Sequence, residues 1–502
     1  MVYSTEETAG YDIAEPRADC MIQSMRAFGY DLPTAIADLI DNSISAGAKN
    51  VWLDLHWNGE ESCIALVDDG CGMTAETLVT AMRPGSRSPL EVRDSRDLGR
   101  FGLGLKTASF SQCRRVSVGS KANYADLAVR CWDLDYVTAC GQWRLLRSGS
   151  KIFEHYLPLL FEKPSGTVVV WEVMDRITSG TVVNSAEHHS LFLARAAEVK
   201  EHVAMVFHRF LEKPAQLRIF VNGEAVMPWD PYLTKETATQ LLAEEALTIF
   251  GERLHVRPYV LPHHSKISPE THRAAAGPRG WTAQQGFYVY RNHRLLAAGD
   301  WLGLGYHKEE HYKLARILLD IPNSMDAEWE IDVKKSRAVP PPAIRRDLRR
   351  LANITRKHAS DIYRYRGARI HNGPVDITFL WQKRVRHGKV SYEVNREHPL
   401  VKDLMCCGAG AGRKVRALLS LIEETVPVPT ITMDSAENPD KHEKPFENAP
   451  AAVLQSVLRE TYRALRDSGL MRSQARLRIA SLEPFHNYPE LIASLDDEEG
   501  TD

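Results

Sequence analysis

Long apolar runs are missing from this chain: nowhere do its 502 residues approach the roughly 18 consecutive apolar positions that a membrane-spanning helix needs. The opening segment, MVYSTEETAGYDIAEPRADC, has no basic stretch followed by an apolar core, so no signal peptide is read and a cytoplasmic protein is expected. Cysteine is sparse. The eight cysteines (20, 63, 71, 113, 131, 140, 406 and 407) form no C-x-x-C pair and read as reduced, mostly buried thiols. Charge of one sign is also lacking: 63 basic residues against 65 acidic ones leave a net charge of −2, so nothing global demands nucleic acid or an acidic substrate. No internal repeat is visible, and the length predicts roughly two to four domains.

What is present is concentrated between Ala37 and Lys106, in three segments of fixed order: DLIDNSISAGA (Asp38–Ala48), DDGCGM (Asp68–Met73) and GRFGLGLK (Gly99–Lys106). The first reads as a helix, with Pro33 in its opening turn and Ile36, Leu39, Ile40 and Ile44 on one face. Asp38, Asp41, Asn42 and Ser45 fall on the other face, with Asp38 and Asn42 stacked one turn apart. Asn42 can offer oxygen to a magnesium ion, a hard cation usually shared with phosphate, and Asp38 can take a proton from an attacking water. Taken alone, this helix reads more readily as an ordinary acidic surface helix. Asp68 ends a strand-like apolar run (Cys63–Val67) and enters a glycine turn; it can accept a hydrogen bond from an amino group of a base, with Gly70 and Gly72 allowing close backbone approach. Asp-Gly is also a common hairpin signal. Gly99, Gly102 and Gly104 precede a helix and end in Lys106, a natural phosphate cradle. Their spacing is neither the dinucleotide fingerprint nor the Walker order.

In order and spacing these segments resemble the GHKL superfamily of ATPases, which includes gyrase, MutL, the large heat-shock chaperones, histidine kinases and the MORC proteins. The resemblance covers the N box (Asp38 to Ala46), the first glycine box (Asp68 to Gly72, then Met73) and the second (Gly99, Arg100, Phe101, Gly102, Leu103, Gly104, Lys106). Gly166-Thr167 resembles the last box, whose Thr helps bind adenine, and Ser86 the lid serines. The MutL and MORC branches are the most similar in wording. The resemblance implies an α/β fold (an α+β sandwich of Bergerat type), ATP and Mg²⁺ as ligands, and an ATP-dependent homodimer closed through an N-terminal arm (Met1–Arg17). One departure stands out. The family's general base is Glu, and Asp38 is shorter by one carbon–carbon bond of about 1.5 Å. Displacements near 1 Å can cost on the order of a hundredfold in rate, so slow turnover is expected.

The chain divides on this reading into an ATP-binding domain (1–180), an S5-like α/β transducer (181–340), a basic helix with a C-terminal α/β region (341–424), a Pro-rich linker (425–450) and a small helical end (451–502). The transducer of the family sends one Lys to the terminal phosphate; the segment Trp329–Ser336 resembles that loop, leaving Lys334 and Lys335 as candidates, with Lys335 preferred. From Ala343 to about Arg366 a helix carries Arg345, Arg346, Arg349, Arg350, Arg356 and Lys357. Between Lys334 and Arg369 twelve Lys or Arg face two Asp, a stripe able to neutralise phosphates of DNA or RNA, or merely a solvated face. His307-Lys-Glu-Glu-His311 matches an H-x-x-E-H zinc pattern with no third ligand, and His263-His264 reads as a loop pair. The resemblance implies a MORC-like or MutL-like clamp on DNA, with defence or repair proteins as partners in a restriction or anti-phage setting. A chaperone-like switch acting on protein clients is the alternative.

Overall fold

The structure, a computed structural model, describes residues 15–86, 104–212, 217–332, 335, 338–364, 378–386, 389–406, 409–428 and 451–493, besides isolated positions. Gly99 to Leu103, Lys334, nearly all of the N-terminal arm and most of the 425–450 linker lie outside the described residues. The chain forms two compact units, 1–368 and 369–502.

The first sheet of the larger unit contains β1 (Asn50–His56), β2 (Cys63–Asp68), β3 (Arg115–Lys121), β4 (Ala128–Asp133), β5 (Gly166–Glu172), β6 (Arg218–Val221) and β7 (Glu224–Ala225), in the order β4-β3-β5-β2-β1-β6-β7. All pairings are antiparallel except β1 with β6. Alternation of side chains explains its two faces. Ile64 and Leu66 of β2, with Val169 and Trp171 of β5, join a core shared with the helices, whereas Cys63, Ala65, Val67, Val168 and Val170 pack against Phe153 and Leu160 on the reverse. Strand β6 was expected to belong to the second region; its parallel pairing with β1 places it in the first sheet, so that sheet draws on chain beyond residue 180.

Helices α1 (Ala18–Arg26), α2 (Leu32–Ser45), α3 (Ala75–Met82), α4 (Gly104–Gln112) and α5 (Leu134–Cys140) share the core on one face of the first sheet. Asp31 caps α2 by accepting from the Thr34 amide at 2.8 Å, and Pro33 lies in its first turn. Ile36, Leu39 and Ile40 then enter the core. Further along are α6 (Ala186–Val206) and a single turn, α7 (His208–Leu211), separated at Phe207. The second sheet has β8 (Gln240–Leu241), β9 (Glu245–Ile249), β10 (Glu252–Val260), β11 (Gly286–Arg291), β12 (Arg294–Asp300) and β13 (Ala315–Ile321), ordered β12-β11-β13-β10-β8 with β9 also on β10. Helix α8 (Arg345–Arg364) buries Leu348, Leu351, Ala352 and Ala359 against this sheet's core, positions spaced as one helical face requires. The basic helix therefore belongs to the larger unit.

The smaller unit holds a hairpin, β14 (Trp381–Arg386) and β15 (Lys389–Val394), with α9 (Pro399–Cys406), α10 (Ala409–Glu424), α11 (Ala451–Asp467) and α12 (Arg472–Ile479). Its core centres on Leu454, Leu458, Tyr462, Ile479 and Phe485. Among the described residues no helix is long and apolar enough to cross a membrane. The expectation of mostly buried thiols holds for Cys63, Cys113 and Cys131, but Cys20, Cys71 and Cys406 are exposed.

Candidate nucleotide site

The end of β2, the glycine turn after it and the C-terminal half of α2 meet through short polar contacts. Asp68 is buried; its Oδ2 accepts from Ser43 Oγ at 2.8 Å and its Oδ1 from the Gly70 amide at 2.9 Å. Burial is the main influence on this carboxyl and pushes its pKa up, against the lowering effect of those donors. Thr167 pairs with Asp68 across β5, and its hydroxyl lies 2.8 Å from Ser120 Oγ, which in turn accepts from the Met73 amide at 2.9 Å. Ala46 accepts from the Cys71 amide through its carbonyl at 2.9 Å. The glycines have packing reasons as well. A Cβ on Gly70 would lie 2.8 Å from Ala46 Cβ; on Gly72, where φ is +65°, it would lie 1.9 Å from the Lys121 carbonyl oxygen.

On α2, Asn42 is exposed and makes no side-chain hydrogen bond among the described residues. Asp38, one turn earlier, is 2% exposed. Its Oδ2 accepts from the Tyr30 hydroxyl at 2.9 Å and its Oδ1 from Lys335 Nζ at 3.2 Å. Lys335 makes a shorter bond, 2.6 Å, to Asp41 Oδ2, and Arg294 of β12 reaches both oxygens of Asp41 through Nε at 3.2 and 3.3 Å. Burial raises the Asp38 pKa, and the nearby Lys335 charge only partly offsets it. Burial acts in the same sense on Asp41, but Arg294 and Lys335 together outweigh it and hold that carboxyl below its ordinary value. Lys335 adopts a left-handed φ of +51°, a conformation that a non-glycine residue keeps only where its surroundings fix it.

The donor set suits a magnesium nucleotide. Asn42 presents an unengaged amide oxygen; α4 begins at Gly104, whose added Cβ would stand 3.6 Å from Asp38 Oδ2, so a helix N-terminus opens beside the carboxylate. Asp68 keeps lone pairs for a further donor. Lys106, expected at the phosphates, is buried and donates to the Ala81 carbonyl at 2.9 Å. Ser86 is half-buried after the end of α3.

The basic helix divides. Arg346 and Lys357 are exposed and unpaired among the described residues; Arg345 is exposed and donates to the Pro340 carbonyl, Arg349 donates to the Leu304 carbonyl, and Arg350 grips Glu245 with two bonds of 2.9 and 2.5 Å. Arg356, expected on the same face, points inward: its guanidinium stands 3.8 Å from the Tyr312 ring centroid, 4.4 Å from Tyr306 and 5.2 Å from Trp301. The residue is one position off the exposed stripe and 9% exposed. Around the H-x-x-E-H segment, Glu310 pairs with Lys313 and accepts from Thr282, and the residues form a 3₁₀ turn rather than a helix face. No metal-holding group of three His, Cys, Asp or Glu occurs among the described residues. Tyr30, Ser43 and Arg294 escaped the motif reading, since each is a common residue whose role appears only when distant segments meet.

Residues 30–167, which carry this site except for Arg294 and Lys335, match the family model described as Histidine kinase-, DNA gyrase B-, and HSP90-like ATPase. These residues therefore carry a domain of the GHKL ATPase type, and the similarity of the chain runs toward MORC and MutL proteins. The ATPase morc-1 of Caenorhabditis elegans is 24% identical over 258 residues, covering 44% of this chain and 29% of that protein. The DNA mismatch repair protein MutL of Methanothrix thermoacetophila is 28% identical over 211 residues, 40% of this chain and 34% of that protein. The chaperone protein HtpG of Oceanobacillus iheyensis is 33% identical over 103 residues, 19% of this chain and 16% of that protein. The chain thus spans about a third of the length of the first two relatives.

Proposed function

We propose that this protein is a slow Mg-ATP hydrolase in which nucleotide closes a homodimeric clamp on DNA. The observation that carries the reading is the reach of Lys335, which follows the second sheet in sequence, to Asp38 on the nucleotide helix, 297 positions earlier in the chain. A lysine in that place ties the second sheet to what occupies the first. Asp68 would read adenine with Thr167 behind it, and the N-terminus of α4, with Gly99 to Lys106, would face the phosphates. Asn42 would hold magnesium, which supplies charge neutralisation at the phosphates. Asp38 would take the proton of the attacking water once the Lys335 ammonium turns to the terminal phosphate. Its raised pKa brings it nearer to the optimum for a base at neutral pH.

For the output, the support is the exposed part of α8, where Arg345, Arg346, Arg349, Arg350 and Lys357 lie together on the solvent side. Phosphate neutralisation by such a stripe is indifferent to sequence and fades with salt. Partners among defence or repair proteins fit the similarity to MutL and MORC. The test is steady-state ATP hydrolysis with and without duplex DNA at two salt concentrations, with Asn42→Ala as the blank. Stimulation that fades at high salt is expected; turnover indifferent to DNA would transfer the proposal to protein clients, as in a chaperone.

A further inference from the structure

Four charged groups meet below the surface where α2, β12 and the Lys335 loop come together: Asp38, Asp41, Arg294 and Lys335, with side chains 2%, 1%, 4% and 10% exposed. Two carboxylates and two cations make the cluster neutral. Asp41 has no task in the chemistry above, being neither the base nor the magnesium ligand. Yet it makes the shortest contact of the cluster, 2.6 Å to the Lys335 ammonium. Arg294 engages both oxygens of Asp41 and also donates through Nη1 to the backbone carbonyl of Lys335 at 3.2 Å.

We propose that Asp41 and Arg294 are positioning residues that park the Lys335 ammonium away from the terminal phosphate, and so set the affinity for a triphosphate. This rests on the nucleotide-site reading above. Asp41 and a terminal phosphate compete for one ammonium, so whatever Asp41 gains from Lys335 is subtracted from triphosphate binding. Arg294 stays behind when the ammonium leaves, so Asp41 is not stranded as an unpaired buried charge, which would forbid the movement. Its bond to the Lys335 carbonyl holds the backbone, leaving the flexible side chain as the moving part. A diphosphate lacks the group that draws Lys335 off and should be blind to the parking contact.

The experiment uses the full chain and measures equilibrium binding of magnesium with a non-hydrolysable ATP analogue, and separately of magnesium with ADP. Asp41→Asn should bind the analogue about tenfold more tightly, within the ordinary range of site coupling, while ADP affinity stays within about twofold. Arg294→Gln should weaken the analogue about tenfold, because unopposed Asp41 grips the ammonium harder. The charge-neutral double variant should bind the analogue more tightly than the wild type but less tightly than Asp41→Asn, and it carries the test if either single variant fails to fold. Equal weakening of both nucleotides by Asp41→Asn, or an analogue affinity unchanged in the double variant, overturns the proposal. Wild-type protein that binds neither nucleotide would instead bring down the nucleotide-site reading, and the parking role with it.

Discussion

Replacing Asp38 by Asn tests the base assignment with little change of shape. The amide keeps an oxygen for the Tyr30 hydroxyl, 2.9 Å away, but puts an NH2 donor where Oδ1 had accepted from Lys335 at 3.2 Å, so that bond and its charge are lost. Lys335 keeps its 2.6 Å bond to Asp41, so the loop is not released. Stability should fall by no more than the about 1.5–3 kcal/mol of the lost Lys335 bond, because burial already opposes ionisation of Asp38 and a neutral amide avoids that cost. Turnover should suffer. A positioned general base is worth about 10²–10⁴-fold, which at 1.36 kcal/mol per decade is about 2.7–5.5 kcal/mol of barrier. Single-turnover ATP hydrolysis, analogue binding and a thermal melt, measured side by side, make the test. Expected are a rate loss of at least a hundredfold, analogue affinity undiminished and a melting temperature within a few degrees of the wild type. Turnover within tenfold of the wild type would refute the role of Asp38. A rate loss matched by a loss of folded protein would make it a structural ion-pair member.

Other perturbations separate site from scaffold. Because Asp38 must be ionised to act and burial raises its pKa, the acid limb of turnover should lie above the ordinary aspartate value of about 3.9; Lys335→Met, lacking the largest charge that lowers it, should move that limb higher still in a pH–rate profile. Gly72→Ala should cost on the order of 2 kcal/mol or more in denaturant unfolding and abolish nucleotide binding, since its Cβ would overlap the Lys121 carbonyl and φ there is +65°. Arg356→Ala should destabilise the larger unit by about 2–3 kcal/mol by emptying the box of Tyr312, Tyr306 and Trp301, whereas Arg346→Ala with Lys357→Ala should leave the melt unchanged and lower the salt slope of duplex binding by about one to two.

The sequence was most legible where a motif is local. The α2 stripe and the run Cys63–Val67 are decided by periodicity within a few residues, and the structure places elements there. The likeness of residues 30–167 to GHKL ATPases was legible for the same reason, through short boxes in order. Non-local facts were not. That β6 pairs with β1 depends on a contact across more than 160 residues, and no pattern inside Arg218–Val221 reveals its partner. Arg356 shows the limit at the level of one side chain: in a run of basic residues, which arginine turns inward depends on rings contributed by residues 301, 306 and 312. Arg294 was invisible because Asp41, its partner, stands 253 positions away.

On the proposed parking role, the same cluster would hold the Lys335 backbone while its ammonium moves. A non-glycine residue in the left-handed region costs roughly 1–3 kcal/mol, so Lys335 would not keep φ at +51° on its own. Charge-assisted bonds contribute about 1.5–3 kcal/mol each, and the ammonium makes two of them, to Asp38 and Asp41. The holding interactions therefore exceed the strain by only a few kcal/mol. A nearly complete shift of a two-state element needs about 5.5 kcal/mol of differential affinity. An anion that takes the ammonium need supply no more than that, and Arg294 removes the largest penalty by remaining on Asp41. A stronger lock, such as a third carboxylate on Lys335, would hold the ammonium against any ligand. A weaker one, with Asp41 neutral, would leave the ammonium released before nucleotide arrived. Two carboxylates shared between one lysine and one arginine sit between those limits, and this is the balance that the proposed parking role requires.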